Sequence, residues 1–383
     1  VEPGVADLVW TSRTDVSSGY NEEHSRTIPA SHGVVCVRDA NSGVIALAST
    51  GDMRSFLTDR LGPTAAGVTD LRKVAATFEY VKCDSIFEAD LAFMTASADL
   101  DPGLHDKAAR KLRIWWLGTQ VDATKAQWNW DTDPSVFEPG TKIIGPFYEK
   151  SSARRHAEQL DAAFELCRYP AELHRAPNGR PCVYKEMGQC PGACDGSEPL
   201  RDYQVRLYSA IWFDAHAVRK KKIEIELLMQ VAVDEEDFEQ AGALKAELER
   251  WSQFGERQLE VTRSINVLSY AALTKSSQSK VAKVLVIDQG RWVEIGGVDA
   301  EAEPEQLECV VEAARLSAAR MRSEPGVGDL GVLGVLGREL LKPSRGGPEM
   351  VRLDGLDGAI LLHASQRVLR MTGARPRNHA DDE

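Results

Sequence analysis

Hydrophobic positions change their period several times along the chain. His32 to Val37 (HGVVCV) and Val44 to Ala48 (VIALA) are β-rich runs, and the Arg38-Asp39-Ala40-Asn41-Ser42-Gly43 segment between them has the Asn, Ser and Gly that suit a hairpin turn. Apolar residues then recur at Met53, Phe56, Leu57 and Leu61 behind Asp52, which predicts a helix capped by that aspartate. Phe78 to Cys83 alternates like a third strand, and Asp84 or Ser85 can cap a helix carrying Ile86, Glu88 and Leu91. The predicted order is ββαβα, in a small domain over 28–105.

Further along, Ser151 to Leu166 places Ala157, Leu160, Ala163 and Phe164 on one face of a helix that delivers the chain to Cys167. Two helices are predicted over roughly 201–256, within a region 201–262. Ile225, Leu228, Met229 and Ala232 precede a short acidic break, and Phe238, Ala241, Leu244, Leu248 and Trp251 follow it, the pattern of an antiparallel helical hairpin. Residues 281–297 read as two strands around Asp288-Gln289-Gly290, with a helix at about 304–322, within a region 263–325. Residues 1–27 lack periodicity and are expected to form a disordered arm; the Gly-rich 326–383 is expected to be partly mobile. Residues 106–144 read as a connector. In it Trp115, Trp116, Trp128 and Trp130 are expected to be core or interface anchors rather than base-stacking platforms. The class is α+β.

Length and charge narrow the function. A chain of 383 residues can form two or three domains, each with a core of its own. No apolar run is long enough to span a bilayer, and Val1-Glu2-Pro3-Gly4 begins no secretory signal, so the expected address is cytoplasmic and no membrane partner is expected. The net charge of −12 excludes a global basic field, so any DNA contact must be local.

Four of the seven cysteines fall in 28 residues, Cys167, Cys182, Cys190 and Cys194, spaced C-x14-C-x7-C-x3-C within the segment 145–200. Gly and Pro between them let the backbone turn, so four thiolates could close on zinc or on a [4Fe–4S] cluster. The surrounding order is Gly145-Pro146-Phe147, a helix, Leu166-Cys167, and then Arg180-Pro181-Cys182 through Cys194. This block resembles the UvrC/Cho excinuclease family of nucleotide excision repair. The resemblance implies that the four cysteines bind an iron–sulfur cluster, with zinc as the alternative. Asp237-Phe238-Glu239-Gln240-Ala241-Gly242-Ala243-Leu244-Lys245 is similar to the family's UVR motif, with Gly242 and Lys245 in place of Ala and Arg. That likeness implies docking onto a UvrB-like partner through Phe238, Glu239, Ala241 and Leu244.

The family's GIY-YIG nuclease would occupy the ββαβα domain. Its two tyrosine positions are here Val35 and Ala46, its lysine position is Ser49 and its arginine position is Phe56. Glu88, the counterpart of the carboxylate that holds Mg²⁺ or Mn²⁺, is retained, and Arg54 or Arg60 could supply an arginine from a shifted position. Such hydrolysis needs an activated water, a cation and a donor for developing charge. The resemblance therefore implies a degenerate homologue that acts by docking DNA and UvrB. The alternatives are a working excinuclease, and an iron–sulfur protein that senses redox state. No Asp/Asp/His set of the family's second, RNase H-like nuclease is found.

Overall fold

The computed structural model describes residues 8–63 and 69–371. The chain divides into two compact units: one holds the chain up to Arg113 together with the chain from Ser269, the other Ile114–Leu268. Both are mixed helix and antiparallel sheet, in agreement with the α+β reading.

The first unit opens with β1 (Thr14–Asp15), α1 (Glu22–Thr27), β2 (Gly33–Arg38), β3 (Val44–Thr50), α2 (Met53–Leu61), β4 (Thr77–Lys82), α3 (Ile86–Leu100) and α4 (Pro102–Leu112). The sheet order is β1-β4-β2-β3, all antiparallel, and every residue of the central β2 is buried. Turn and caps follow from local chemistry. Asp39 accepts the backbone N–H groups of Asn41 and Gly43 to close the β2–β3 turn. Asp52 caps α2, and Ser85, not Asp84, caps α3. Asp101 caps α4, whose first residue is Pro102.

The arm expected over 1–27 is ordered structure from residue 8 on, and residues 1–7 lie outside the described residues. Thr14 and Asp15 pair with β4, Asn21 caps α1, and Val16 and Ile28 are buried. These residues follow no helical or strand period, yet Val16 and Ile28 pack into the core, so periodicity missed them.

The second unit is built on β5 (Trp115–Thr119), β6 (Asn129–Asp131), β7 (Lys142–Phe147) and β8 (Arg263–Ser264), in the order β6-β5-β7-β8. The stretch read as a connector therefore carries three strands. They are short, β5 and β6 carry tryptophans, and Gly118 stands inside β5. A Cβ at Gly118 would lie 2.7 Å from the Phe137 ring and 2.9 Å from Thr141, so close packing demands the glycine. Helices α5 (Lys150–Ala163), α6 (Pro170–Leu173), α7 (Val183–Glu186), α8 (Leu200–Trp212), α9 (Ala215–Asp234), α10 (Phe238–Ser252) and α11 (Glu256–Val261) complete it. Two helices were expected over roughly 201–256, where three stand, α8, α9 and α10, before α11 begins at Glu256. Phe213 is extended and Asp214 caps α9 by accepting from the Ala217 N–H, which splits α8 from α9. His156 of α5 is fully enclosed by Phe147, Phe213 and Phe254, ring centroids 5.1 to 6.2 Å away, and burial holds its pKa down at about 4.

The first unit resumes with β9 (Ser269–Lys275), β10 (Val281–Asp288), β11 (Arg291–Asp299), α12 (Pro304–Ser323), α13 (Leu330–Leu341), β12 (Glu349–Arg352) and α14 (Gly358–Met371). The sheet order is β11-β10-β9-β12, all antiparallel. Gln289 and Gly290 take left-handed conformations in the expected hairpin turn. The mobile end expected over 326–383 is instead two helices and a strand as far as Met371, and residues 372–383 lie outside the described residues. Glycines misled the reading here. A Cβ at Gly334 would come within 2.6 Å of the Leu112 carbonyl oxygen, so the glycines of α13 permit its close approach to α4.

Candidate functional site

The cysteine segment is shaped by short turns. Cys182 stands at the N-terminus of α7, and Gly192 and Gly196, both left-handed, frame the turn 193–195 that carries Cys194. Gly179 donates to the Cys194 carbonyl at 2.8 Å and has no room for a Cβ, which would meet that oxygen at 2.8 Å and the Glu172 carbonyl at 2.5 Å. Lys185 pairs with Asp195 across the loop, and Arg206 pairs with Glu198 while donating to the Phe164 and Glu165 carbonyls. Leu166, Leu173 and Ala193 anchor the segment in the core.

All four cysteines are free thiols; Cys190 and Cys194 are buried, Cys167 and Cys182 half-buried. Burial pushes the Cys167 thiol up to about 12, and each of the other three thiols adds to that effect, so the four share one neighbourhood. Cys167 Sγ donates to the Tyr169 carbonyl and Cys194 Sγ to the Arg180 carbonyl, at 3.6 and 3.7 Å. Four soft donors of this kind suit iron–sulfur or zinc. Among the described residues, however, no set of three or more His, Cys, Asp or Glu side chains is arranged to hold a metal ion. The donor set fits such a group in kind, while the sulfurs stand apart from ligand positions.

Glu88 lies in the first turn of α3 and is only 5% exposed. Its Oε2 accepts the Asp84 backbone N–H at 2.8 Å, and its Oε1 lies 3.0 Å from Lys283 Nζ of β10. The same ammonium stands 3.0 Å from Asp84 Oδ2 and 3.3 Å from Glu294 Oε2. Burial raises the Glu88 pKa, and Lys283 works against that rise. At Asp84 burial is the largest influence, but the hydrogen bond and charge of Lys283 together with hydrogen bonds from Ser277 outweigh it and hold the carboxyl below its usual range. Burial likewise opposes the charge on Lys283, yet its carboxylates keep it firmly protonated.

The other positions read as catalytic are engaged elsewhere. Val35 is buried in β2. Ala46 sits in β3, and Ser49 of the same strand donates to Asp90 of α3 at 2.7 Å. Arg54 donates to the Ile28 carbonyl at 2.9 Å, and the Arg60 guanidinium lies 3.7 Å from the centre of the Phe56 ring. Sequence reasoning missed Lys283. Its signal was a lysine inside the otherwise apolar run VAKVLVI of β10. A serine–histidine–aspartate chain also occurs, with His105 3.1 Å from Ser97 Oγ and 3.4 Å from Asp329 Oδ2. Ser97 is fully buried and donates to the Met94 carbonyl, so this is a structural tie without access to a substrate.

In the α9–α10 hairpin, Glu236 is left-handed and Asp237 caps α10. Leu244 and Leu248 pack on the core and Trp251 is buried. Phe238 points the other way, 71% exposed, and Ile223, Leu227, Leu228 and Val231 of α9 are exposed as well. Of the residues read as partner-binding, Phe238 and Glu239 are exposed, whereas Ala241 and Leu244 are half-buried within the unit.

Residues 120–213, which include all four cysteines, match the model of the UvrC/Cho excinuclease middle domain. The chain is similar to UvrABC system protein C of Trichlorobacter lovleyi, 26% identical over 197 residues that make up 49% of this chain and 31% of that protein. It is also similar to UvrABC system protein C of Pediococcus pentosaceus, 25% identical over 238 residues, 61% of this chain and 38% of that protein. The chain thus spans about a third of the length of these curated relatives. No solved structure matches it. Among the described residues no helix is long and apolar enough to cross a membrane.

Proposed function

We propose that this chain, UvrC-like in its middle segment, serves nucleotide excision repair as a docking protein. In this reading it contacts DNA locally and a UvrB-like partner through a UVR-type hairpin, and its GIY-YIG-type domain has lost catalysis. Similarity to UvrABC system protein C supports the repair context.

The observation that carries the loss of catalysis is Lys283. Glu88 is the one retained carboxylate of the nuclease pattern, and a half-buried protein ammonium already neutralises it at 3.0 Å. A divalent cation would have to displace that lysine from the little-exposed Glu88 and Asp84 and from the exposed Glu294. With Val35 and Ala46 at the tyrosine positions, no phenol is present there to help activate water. Losing several such groups leaves little rate enhancement.

Cys167, Cys182, Cys190 and Cys194 would hold a [4Fe–4S] cluster, or zinc, which when bound cross-links the loop between α5 and α8. The left-handed turns at Gly192 and Gly196 and the close backbone approach at Gly179, where no Cβ fits, support this reading by folding the loop back on itself around Cys194. On the docking face, the exposed Phe238 supports the UVR reading, because an exposed aromatic beside an apolar helix face gains by pairing with another hairpin.

The test is incision of a lesion-bearing duplex by the chain with UvrB and Mg²⁺ or Mn²⁺, beside a Glu88→Ala variant. No cutting is expected from either. Cutting that depends on Glu88 would overturn the docking-only reading in favour of a working endonuclease. Iron and zinc analysis of anaerobically purified protein checks the cysteine site, and neither metal at stoichiometric level would overturn that assignment.

A further inference from the structure

The second unit contains a cavity of about 690 Å³ beside the edge strand β6, and neither the cysteines nor the hairpin helices account for it. Its lining includes Trp128, Trp130 and Phe137 together with Gln120, Gln127, Asn129 and Lys125. The wall is held in place. Trp128 Nε1 donates to Asp161 at 2.8 Å, and the Gln120 amide donates to Thr141 at 3.0 Å. Lys150 stands 5.5 Å from the centre of the Trp130 ring, and Phe137 packs over Gly118, where no side chain would fit.

The chemistry of the lining selects a class of ligand. A phosphate group would need converging cations, and the lining offers Lys125 and the imidazole of His174 against the carboxylates of Asp131 and Glu138, with no arginine. The part of a ligand that enters is therefore uncharged. Amide side chains each pair a donor with an acceptor, as the edge of a heterocyclic base requires. Aromatic side chains supply stacking that tolerates any base. The volume lies in the range of sites for small planar ligands.

We propose that this cavity receives an unpaired nucleobase from a single-stranded or distorted stretch of DNA, with Lys125 at the rim beside the backbone. The inference rests on the DNA-repair reading above and adds the site at which the chain would tell an unpaired base from a paired one. It also gives Trp128 and Trp130 a role beyond the anchoring expected of them.

The test measures binding of the full chain to three labelled probes: a single-stranded oligothymidine, the same backbone with abasic residues, and a paired duplex. Gln127→Ala combined with Asn129→Ala alters two exposed positions and is expected to leave melting unchanged. Trp130→Ala is measured beside it, with its melting curve as a control for folding. The oligothymidine is expected to bind roughly tenfold more tightly than the abasic strand, and the variants to remove most of that difference. Equal binding to normal and abasic strands, or variants that leave the difference intact, would overturn the cavity assignment while leaving the repair reading in place. No binding to any of the three probes would instead overturn the DNA reading on which the inference stands.

Discussion

Lys283 is the residue on which most turns. One ammonium meets Asp84 and Glu88 at 3.0 Å, and removing one partner of such a buried set typically costs about 3–5 kcal/mol because the other charges stay behind. Lys283→Met is therefore expected to lower stability by about that amount, measured by chemical denaturation at neutral pH. The pH dependence follows from the pKa shifts. Asp84 is depressed below its ordinary 3.8, so its contribution is present above that value and is lost as pH falls through the folded pKa. Lys283 is raised above 10.5, so its contribution is present below that value and is lost as pH rises through its folded pKa. The wild-type advantage over Lys283→Met should hold through neutral pH to about pH 10 and shrink above it; on the acid side it should shrink first as pH falls through the Glu88 pKa, which burial raises above its ordinary value, and then through that of Asp84. An advantage that does not change below pH 4 would show that Asp84 contributes nothing through this lysine.

At the scale of elements, the hairpin separates two roles that sequence alone merged. Phe238, Ala241 and Leu244 fall on one predicted apolar stripe, yet Leu244 packs on the unit's own core while Phe238 is exposed. Phe238→Ala is accordingly expected to leave the melting temperature nearly unchanged and to weaken capture by UvrB by roughly thirtyfold, the scale of an anchor residue. Unchanged binding would make the hairpin structural only. Elements with a regular period were legible in the sequence: β2, β3, α2, β4 and α3 stand where alternation and caps placed them, and so do β10, β11 and α12. Irregular elements were not. β1 is two residues long, β5 to β7 hide in a run of tryptophans, and α13 is broken by glycines needed for contact with Leu112. Of the candidate site, the cysteine spacing was legible because it is local, whereas the pairing of Glu88 with Lys283 joins residues 195 positions apart and left no local trace.

For the whole molecule, the described residues up to Arg113 and from Ser269 on share one unit and the middle of the chain forms another. α13 reaches Leu112 of α4, so residues from Leu330 onward complete a unit begun before Arg113. The middle unit has its own core, running from Leu117 through Phe147 and Leu160 to Trp251 and Leu259. A fault in one unit should therefore leave the other intact. Gly334→Leu supplies such a fault, because its side chain must push into the Leu112 carbonyl and separate α13 from α4. Overpacking of this kind costs roughly 1–3 kcal/mol. Calorimetry of the variant is expected to show the transition of the terminal unit moved down by several degrees, with that of residues 114–268 unmoved. Hydrogen exchange would assign the two transitions, through protection lost early in β9 and β10 and retained in α5 and α8. A single transition shifting as a whole would mean that the two units unfold as one body and that the middle segment depends on the ends for its stability.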